Sequence, residues 1–219
     1  MDAGKLGQHT GAINTVIILD LCGGTGAWSR PYIEAGYDVR LITLPEHDVR
    51  KYVPPPENVY GVLAAPPCTD FTVSGAQYWL LKDMDGRTID SMGVVLACLR
   101  IIAMAQPVWW ALENPVGKLS RWLGKPRLIF NPCDYGDPYT KRTCLWGNFN
   151  FPEKNPVEPE FIMSGSYVRK DGTQGEKYSY THMHIKDAAI RSITPPTLQE
   201  RFLRPIDEEK ETNYKRHLF

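Results

Sequence analysis

The sequence predicts an open α/β domain, a mostly parallel sheet with helices on both faces. Three observations predict it. A β-branched run, Thr15 to Leu21, passes into the turn Cys22-Gly23-Gly24-Thr25-Gly26 and then into a helical pattern reaching about Gly36. Continuous apolar runs recur at Val59–Ala64 and Val108–Leu112, as strands buried on both faces do. Between them Ser91 to Ala105 carries Val94, Val95, Cys98, Ile101 and Ile102 at helical spacing, which suits a crossover helix.

In the first unit, no Cβ intervenes at Gly23, Gly24 and Gly26, so backbone there can approach a ligand closely. The spacing is neither that of a dinucleotide fingerprint nor a phosphate loop with its lysine. Asp20 followed by glycines suits a nucleoside-like cofactor. The second strand is expected over Tyr37–Leu44, followed by Glu46, Asp48 and the Pro54-Pro55-Pro56 turn. The third runs to Ala64, and Ala65-Pro66-Pro67-Cys68 follows. Two prolines stop sheet pairing and stiffen the turn, so the thiol is held at a strand end, as a nucleophile would be.

Residues 72–92 are expected as a long loop, a candidate lid over that thiol. The strand from Val108 ends in Glu113-Asn114-Pro115. A helix is expected over Val116–Leu123, a short strand at Leu128–Phe130 and another ending near Gly147. Residues 148–190 read as loops with a hairpin around Lys170-Asp171-Gly172-Thr173, and a helix follows at Thr197–Leu203. The organisation expected is therefore a core over 14–147, a small insert over 148–190 and a returning segment over 191–219.

The totals exclude several classes. With 219 residues, 42% hydrophobic and 23% charged, the composition is that of one sizeable globular domain. No apolar run looks long enough to span a membrane and no signal-type start is seen, so a cytoplasmic protein without a membrane partner is expected. Five cysteines without CxxC spacing argue against a disulfide framework and a thiolate metal site. His182 and His184 alone make a weak metal pair, and no metal is expected. Net charge is zero, but residues 1–100 hold 8 basic against 11 acidic residues and 101–219 hold 17 against 14. A polyanion would meet the second half.

In an open α/β sheet, Asp20 with its glycines, Cys68 and Glu113 fall at strand ends that share one cleft. A thiolate there could add to an electron-poor carbon such as C6 of a pyrimidine, provided an acid engages N3. Glu113 could do so if burial raises its pKa. C5 then becomes nucleophilic and can accept a methyl group.

These motifs resemble the cytosine-C5 DNA methyltransferases. Asp20-Leu21-Cys22-Gly23-Gly24-Thr25-Gly26 resembles their cofactor loop, Pro66-Pro67-Cys68 with Phe71-Thr72 their nucleophile loop, and Glu113-Asn114-Pro115 their Glu-Asn-Pro motif. Ser192-Ile193-Thr194-Pro195-Pro196 resembles the segment that closes over the cofactor. The resemblance implies a Rossmann-like fold dependent on S-adenosyl-L-methionine, and DNA as a partner with its cytosine turned out of the duplex. It implies Cys68 as nucleophile on Pro67, Glu113 at N3, Asn114 as its positioner and Arg142 at the base or a phosphate. The implied cofactor contacts are Asp20, Leu21, Cys22, Gly23, Gly24, Gly26, Thr43, Leu44, Asp48, Val49, Pro66, Val95, Ser192 and Thr194.

Three departures stand out. Leu44 replaces the acid that would hold the cofactor ribose. Tyr139, Lys141 and Thr143 stand where the family has Gln, Arg and Arg. The target-recognition domain is reduced to roughly forty residues. A good bidentate base contact contributes about 1–3 kcal/mol of discrimination, and a short insert makes few of them. The expectation is a compact, phage-like enzyme with short specificity, or one helped by a partner subunit or second copy. The alternatives are the same chemistry on a free cytosine nucleotide, or a non-catalytic relic that binds nucleic acid or a partner.

Overall fold

The computed structural model describes residues 16–56, 58–168 and 171–180, with side chains described outside 161–170 and 176–180. Its centre is a six-stranded sheet: β1 (Ile17–Leu21), β2 (Asp38–Ile42), β3 (Val59–Ala64), β4 (Trp109–Pro115), β5 (Leu128–Phe130) and β6 (Thr143–Asn148). The order is β2-β1-β3-β4-β6-β5. The first four strands are parallel, while β6 runs antiparallel to both β4 and β5. The fold is therefore mixed α/β, with helices on both faces of the sheet.

Strand alternation builds two cores. From β1, Ile17, Leu19 and Leu21 enter one cluster, while Ile18 and the preceding Val16 enter the other. The first cluster is covered by α3 (Arg87–Ala105) through Val95, Cys98, Ile101 and Ile102. The second takes Tyr32 of the short α1 (Arg30–Glu34), stacked on Trp109 at 5.4 Å between ring centroids. Each fully buried Leu or Ile contributes about 1.5–3 kcal/mol, so these two clusters are the main source of stability.

The chain leaves β1, adds β2 on one side, then returns to add β3 on the other. This reversal opens a crevice beyond the carboxyl ends of β1 and β3, where open α/β sheets bind ligands. The glycine turn follows β1 and Pro66-Pro67-Cys68 follows β3, so both motifs border it.

Several expectations need correction. Residues 72–92 are not an irregular loop. They form a 3₁₀ turn (Val73–Tyr78), α2 (Trp79–Met84) and the start of α3. The helix is hard to see in sequence because Leu80, Leu81 and Met84 are exposed and make no inward apolar stripe. The helix expected after the glycine turn is shortened to α1, and that expected over Val116–Leu123 to α4 (Ser120–Leu123). By length and composition α3 could cross a membrane, contrary to the expectation that no run could. Its inner face nevertheless packs in the first core cluster, as a core helix does. The expected hairpin is present as β7 (Phe161–Val168) and β8 (Gln174–Tyr180), which pair with each other in a separate sheet. The helix expected at Thr197–Leu203, the histidine pair and the segment from residue 191 lie outside the described residues.

Candidate active site

The Pro66-Pro67-Cys68 turn is held by backbone bonds on both flanks. Ala65 N–H donates to the Leu21 carbonyl over 2.9 Å, extending β3 past its last residue. Pro66 is buried, Pro67 exposed and Cys68 half-buried. The Cys68 carbonyl accepts from Phe71 N–H (2.9 Å) and Thr72 N–H (3.1 Å), closing a tight turn with the thiol at its start. Phe71 is fully buried beneath it.

The chain after β4 returns to this turn. Val73 N–H donates to the Val116 carbonyl over 3.2 Å and Lys118 N–H to the Phe71 carbonyl over 2.8 Å. Between them Gly117 makes a bridge with Thr72, and a Cβ at Gly117 would run into the Phe71 carbonyl. That close approach requires glycine.

Asn114 is fully buried, and its Nδ2 donates to the Pro66 carbonyl over 3.0 Å. Neighbouring Glu113 is 6% exposed, and its Oε1 accepts no hydrogen bond among the described residues. The closest cation is Lys141, with Nζ 3.9 Å from that oxygen. A buried carboxyl oxygen without a donor is costly unless something supplies one. Burial raises the Glu113 pKa, with Lys141 opposing. Burial also raises the Cys68 thiol, helped by the Glu113 charge and opposed by Lys141. The Tyr139 phenol is pushed up by burial, then by the charges of Asp137 and Glu113. Cys68, Glu113, Lys141 and Tyr139 thus form one electrostatic group.

Lys141, at the position of a family arginine, is the cation beside Glu113, while Arg142, expected at the base or a phosphate, is exposed next to it. Leu145 is directly opposite Glu113 in the β4–β6 pairing, so the two share a face. Stepping back by two reaches Thr143 and Lys141, whereas Arg142 falls on the alternate side and is exposed. The same period of two joins Tyr139, Lys141 and Thr143, the three positions the resemblance singled out. The reading also passed over Lys82 and Lys118, two buried lysines behind the turn. Lys82 Nζ reaches the Thr69 carbonyl (2.7 Å) and Asp70 Oδ1 (2.9 Å), while Ser91 Oγ donates to Asp70 Oδ2 (2.5 Å). Lys118 Nζ donates to Asp83 Oδ1 (2.5 Å) and Thr88 Oγ1 (2.8 Å).

At the end of β1, Asp20 is fully buried and accepts from Ser29 Oγ over 2.6 Å. Its Oδ1 accepts nothing among the described residues, and burial pushes its pKa up to about 6 against the Ser29 bond. A Cβ on Gly23 would run into this carboxyl, so backbone and carboxylate are packed one on the other. Gly24 is exposed and Gly26 half-buried, both in the left-handed region; Cys22, half-buried, shares it at φ 58°. The result is a cradle bounded by backbone, with an acid beneath it.

The other expected cofactor residues divide. Thr43 is half-buried and Leu44 is 66% exposed, presenting an apolar side chain where an acid would hold ribose. The Asp48 carboxylate is taken by Arg50, with Nη2 at 2.8 Å, and that bond lowers its pKa to about 2. Val49, Val95 and Leu21 are core side chains; Leu21 and Val95 have no exposed surface, so their side chains offer none to a ligand as they stand. Ser192 and Thr194 lie outside the described residues.

No family model matches the chain. No curated protein matches it either. Among solved structures it is similar to an E. coli protein encoded within a prophage and described as a DNA modification methyltransferase, at 16% identity and TM-score 0.42. That match covers 66% of this chain and 53% of the other. It is also similar to the Entamoeba histolytica methyltransferase EhMeth (13% identity, TM-score 0.43, 67% and 58% covered) and to S. pombe Dnmt2 methyltransferase (13%, 0.40, 65% and 52%). The chain therefore spans little more than half the length of each.

Proposed function

We propose that this protein is a DNA (cytosine-5)-methyltransferase that works through a covalent bond from Cys68. The carrying observation is the pairing of a half-buried thiol with a buried, donor-less carboxyl, Glu113 Oε1, on adjacent strands tied together by Asn114. A protonated Glu113 can donate to the pyrimidine N3, or its oxygen can accept from the exocyclic amine. Either contact satisfies the group that the fold leaves unsatisfied.

The residues allow a balanced reaction. Cys68 releases its thiol proton to solvent, and its Sγ forms a bond to C6 while Glu113 delivers a proton to N3. The C5–C6 π electrons move onto C5, which becomes the nucleophile. After C5 is alkylated, solvent takes its proton, the double bond re-forms, the C6–S pair returns to sulfur and the N3 proton returns to Glu113. Lys141 holds Glu113 and stabilises the thiolate by charge. Tyr139 lies within electrostatic reach of Glu113.

The cofactor proposed is S-adenosyl-L-methionine, which supplies an electrophilic methyl group. Asp20 Oδ1, buried without a donor, and the backbone cradle at Gly23, Gly24 and Gly26 fit the polar end of such a molecule. The Leu44 position does not supply a ribose-binding carboxylate, so affinity must come from that cradle. The insert contributes one two-stranded ribbon among its described residues, which supports short sequence recognition, or recognition shared with a second copy or another subunit.

The test is a covalent adduct with duplex DNA carrying 5-fluorocytosine, which blocks the final proton loss. Wild type should form it with the cofactor present, and Cys68→Ala should not. An adduct with Cys68→Ala, or none from wild type on any duplex, would end the reading.

A further inference from the structure

The twenty residues between Glu113 and Asp134 contain four basic residues and no acidic one, in a chain whose net charge is zero. Lys118 is spent internally on Asp83 and Thr88. The other three, Arg121, Lys125 and Arg127, are exposed, and none is in an ion pair among the described residues. Asp83, the acid within electrostatic reach of Arg121, already has Lys118.

Two of the three guanidinium and ammonium groups are seated on aromatic rings rather than on carboxylates. Arg121 lies over Trp79 at 5.4 Å from its centroid. Arg127 lies over both Phe149 (5.4 Å) and Phe151 (5.2 Å), and spends one donor on Asn148 Oδ1 at 3.4 Å. A guanidinium has five donors, so stacking fixes its plane while leaving most of its edge free. Such a group is preorganised for an anion with a matching fork of oxygens.

The segment starts at the nucleophile turn. Lys118 N–H bonds Phe71 O, and Trp122, 47% exposed, sets its ring edge-on to Phe71 at 6.2 Å. It ends on edge strand β5, where Arg127 N–H bonds the Leu145 carbonyl. The basic segment therefore leads from the Cys68 turn to the edge strand of the sheet. A single nucleotide bound at Cys68 and Glu113 needs no unpaired cations along that path. A polymer that continues past the site does.

We propose that Arg121, Lys125 and Arg127 form a phosphodiester-binding rail that holds duplex DNA beside the Cys68 turn. This rests on the methyltransferase reading and names its substrate as the polymer rather than the free cytosine nucleotide.

The test is the salt dependence of binding to a fluorescent 20-base-pair duplex between 50 and 200 mM salt. Each phosphate neutralised contributes about −0.9 to the slope of log K against log salt. The triple variant Arg121→Gln, Lys125→Gln, Arg127→Gln should flatten the slope by about 2.7. Because Arg127 packs on two rings, the double variant Arg121→Gln, Lys125→Gln is made in parallel, with an expected change of about 1.8. Arg40→Gln, on β2 and paired with Asp38, should leave the slope unchanged. Alkylation of Cys68 by iodoacetamide should be unaltered in all of them.

If wild type binds duplex and the variants keep its slope, the rail is wrong and the methyltransferase reading stands. Modification of dCMP with no duplex binding would overturn the polymer substrate and the rail together, while leaving Cys68 chemistry in place. Competition by poly-glutamate as strong as that by DNA would assign the rail to an acidic protein instead.

Discussion

Asn114 Nδ2 donates to the carbonyl of Pro66 over 3.0 Å, across 48 residues of sequence. This bond ties the strand carrying Glu113 to the turn carrying Cys68. Losing one partner of a buried hydrogen bond costs about 1–3 kcal/mol. Asn114→Ala should lower stability by that amount in a urea titration. It should also slow adduct formation on fluorinated duplex by more than ten-fold, because the two reacting groups lose their common reference. Adduct formation at the wild-type rate would show that the bond is structural only.

The Cys68 thiol should titrate above the ordinary cysteine range, since burial and the Glu113 charge both raise it. The rate of iodoacetamide alkylation should therefore still be rising at pH 9. Glu113→Gln removes a charge that raises the pKa and should move the curve to lower pH. Lys141→Met removes one that lowers it and should move the curve higher. Coincident curves for wild type and Lys141→Met would remove Lys141 from the electrostatic group.

Much of the frame was legible before the fold was seen, because buried parallel strands are continuous apolar runs and the motifs sit at their ends. Ile17–Leu21, Val59–Ala64 and Trp109–Pro115 lie within a residue or two of where pattern placed them. What sequence hid was of two kinds. The α2 helix leaves Leu80, Leu81 and Met84 outside, so hydrophobic periodicity could not announce it. Lys82 and Lys118 read as surface charges, because the acids and carbonyls that let them be buried are supplied by distant turns. Lys141 was named by the resemblance as standing for an arginine, and the pairing of Leu145 with Glu113 accounts for its place on the Glu113 face.

Lys82 is a positioning residue for the turn. Its ammonium holds the carbonyl of Thr69, next to Cys68, and the carboxylate of Asp70. Removing one member of a buried ion pair costs on the order of 3 kcal/mol, much of it from stranding the other charge. Lys82→Met should be destabilised by about that much. It should also raise the pH at which Cys68 alkylates, because unpaired Asp70 raises the thiol pKa. The double variant Lys82→Met, Asp70→Asn should recover the pH profile, since no charge is left stranded. A profile that stays shifted in the double variant would assign the effect to lost geometry instead of charge.

Asp20 makes stability depend on pH with the opposite sign to an ordinary salt-bridged acid. Burial raises its pKa from 3.8 to about 6, so between those values the folded protein binds the proton that the unfolded chain has released. Its contribution is fully present below pH 3.8 and is lost as pH rises through about 6. Two pKa units correspond to about 3 kcal/mol. Asp70 and Asp83 have lowered pKa values and act the other way, losing their contribution as pH falls, so the raw curve mixes both signs. The difference between Asp20→Asn and wild type isolates the Asp20 part. Asn keeps an acceptor for Ser29 but carries no proton to lose. Relative to wild type, the variant should gain about 2.4 kcal/mol on going from pH 4 to pH 7, read from urea unfolding at each pH. A constant difference across that range would mean that Asp20 stays ionised in the fold, and that the carboxyl beneath Gly23 has a charged partner when the protein is in solution.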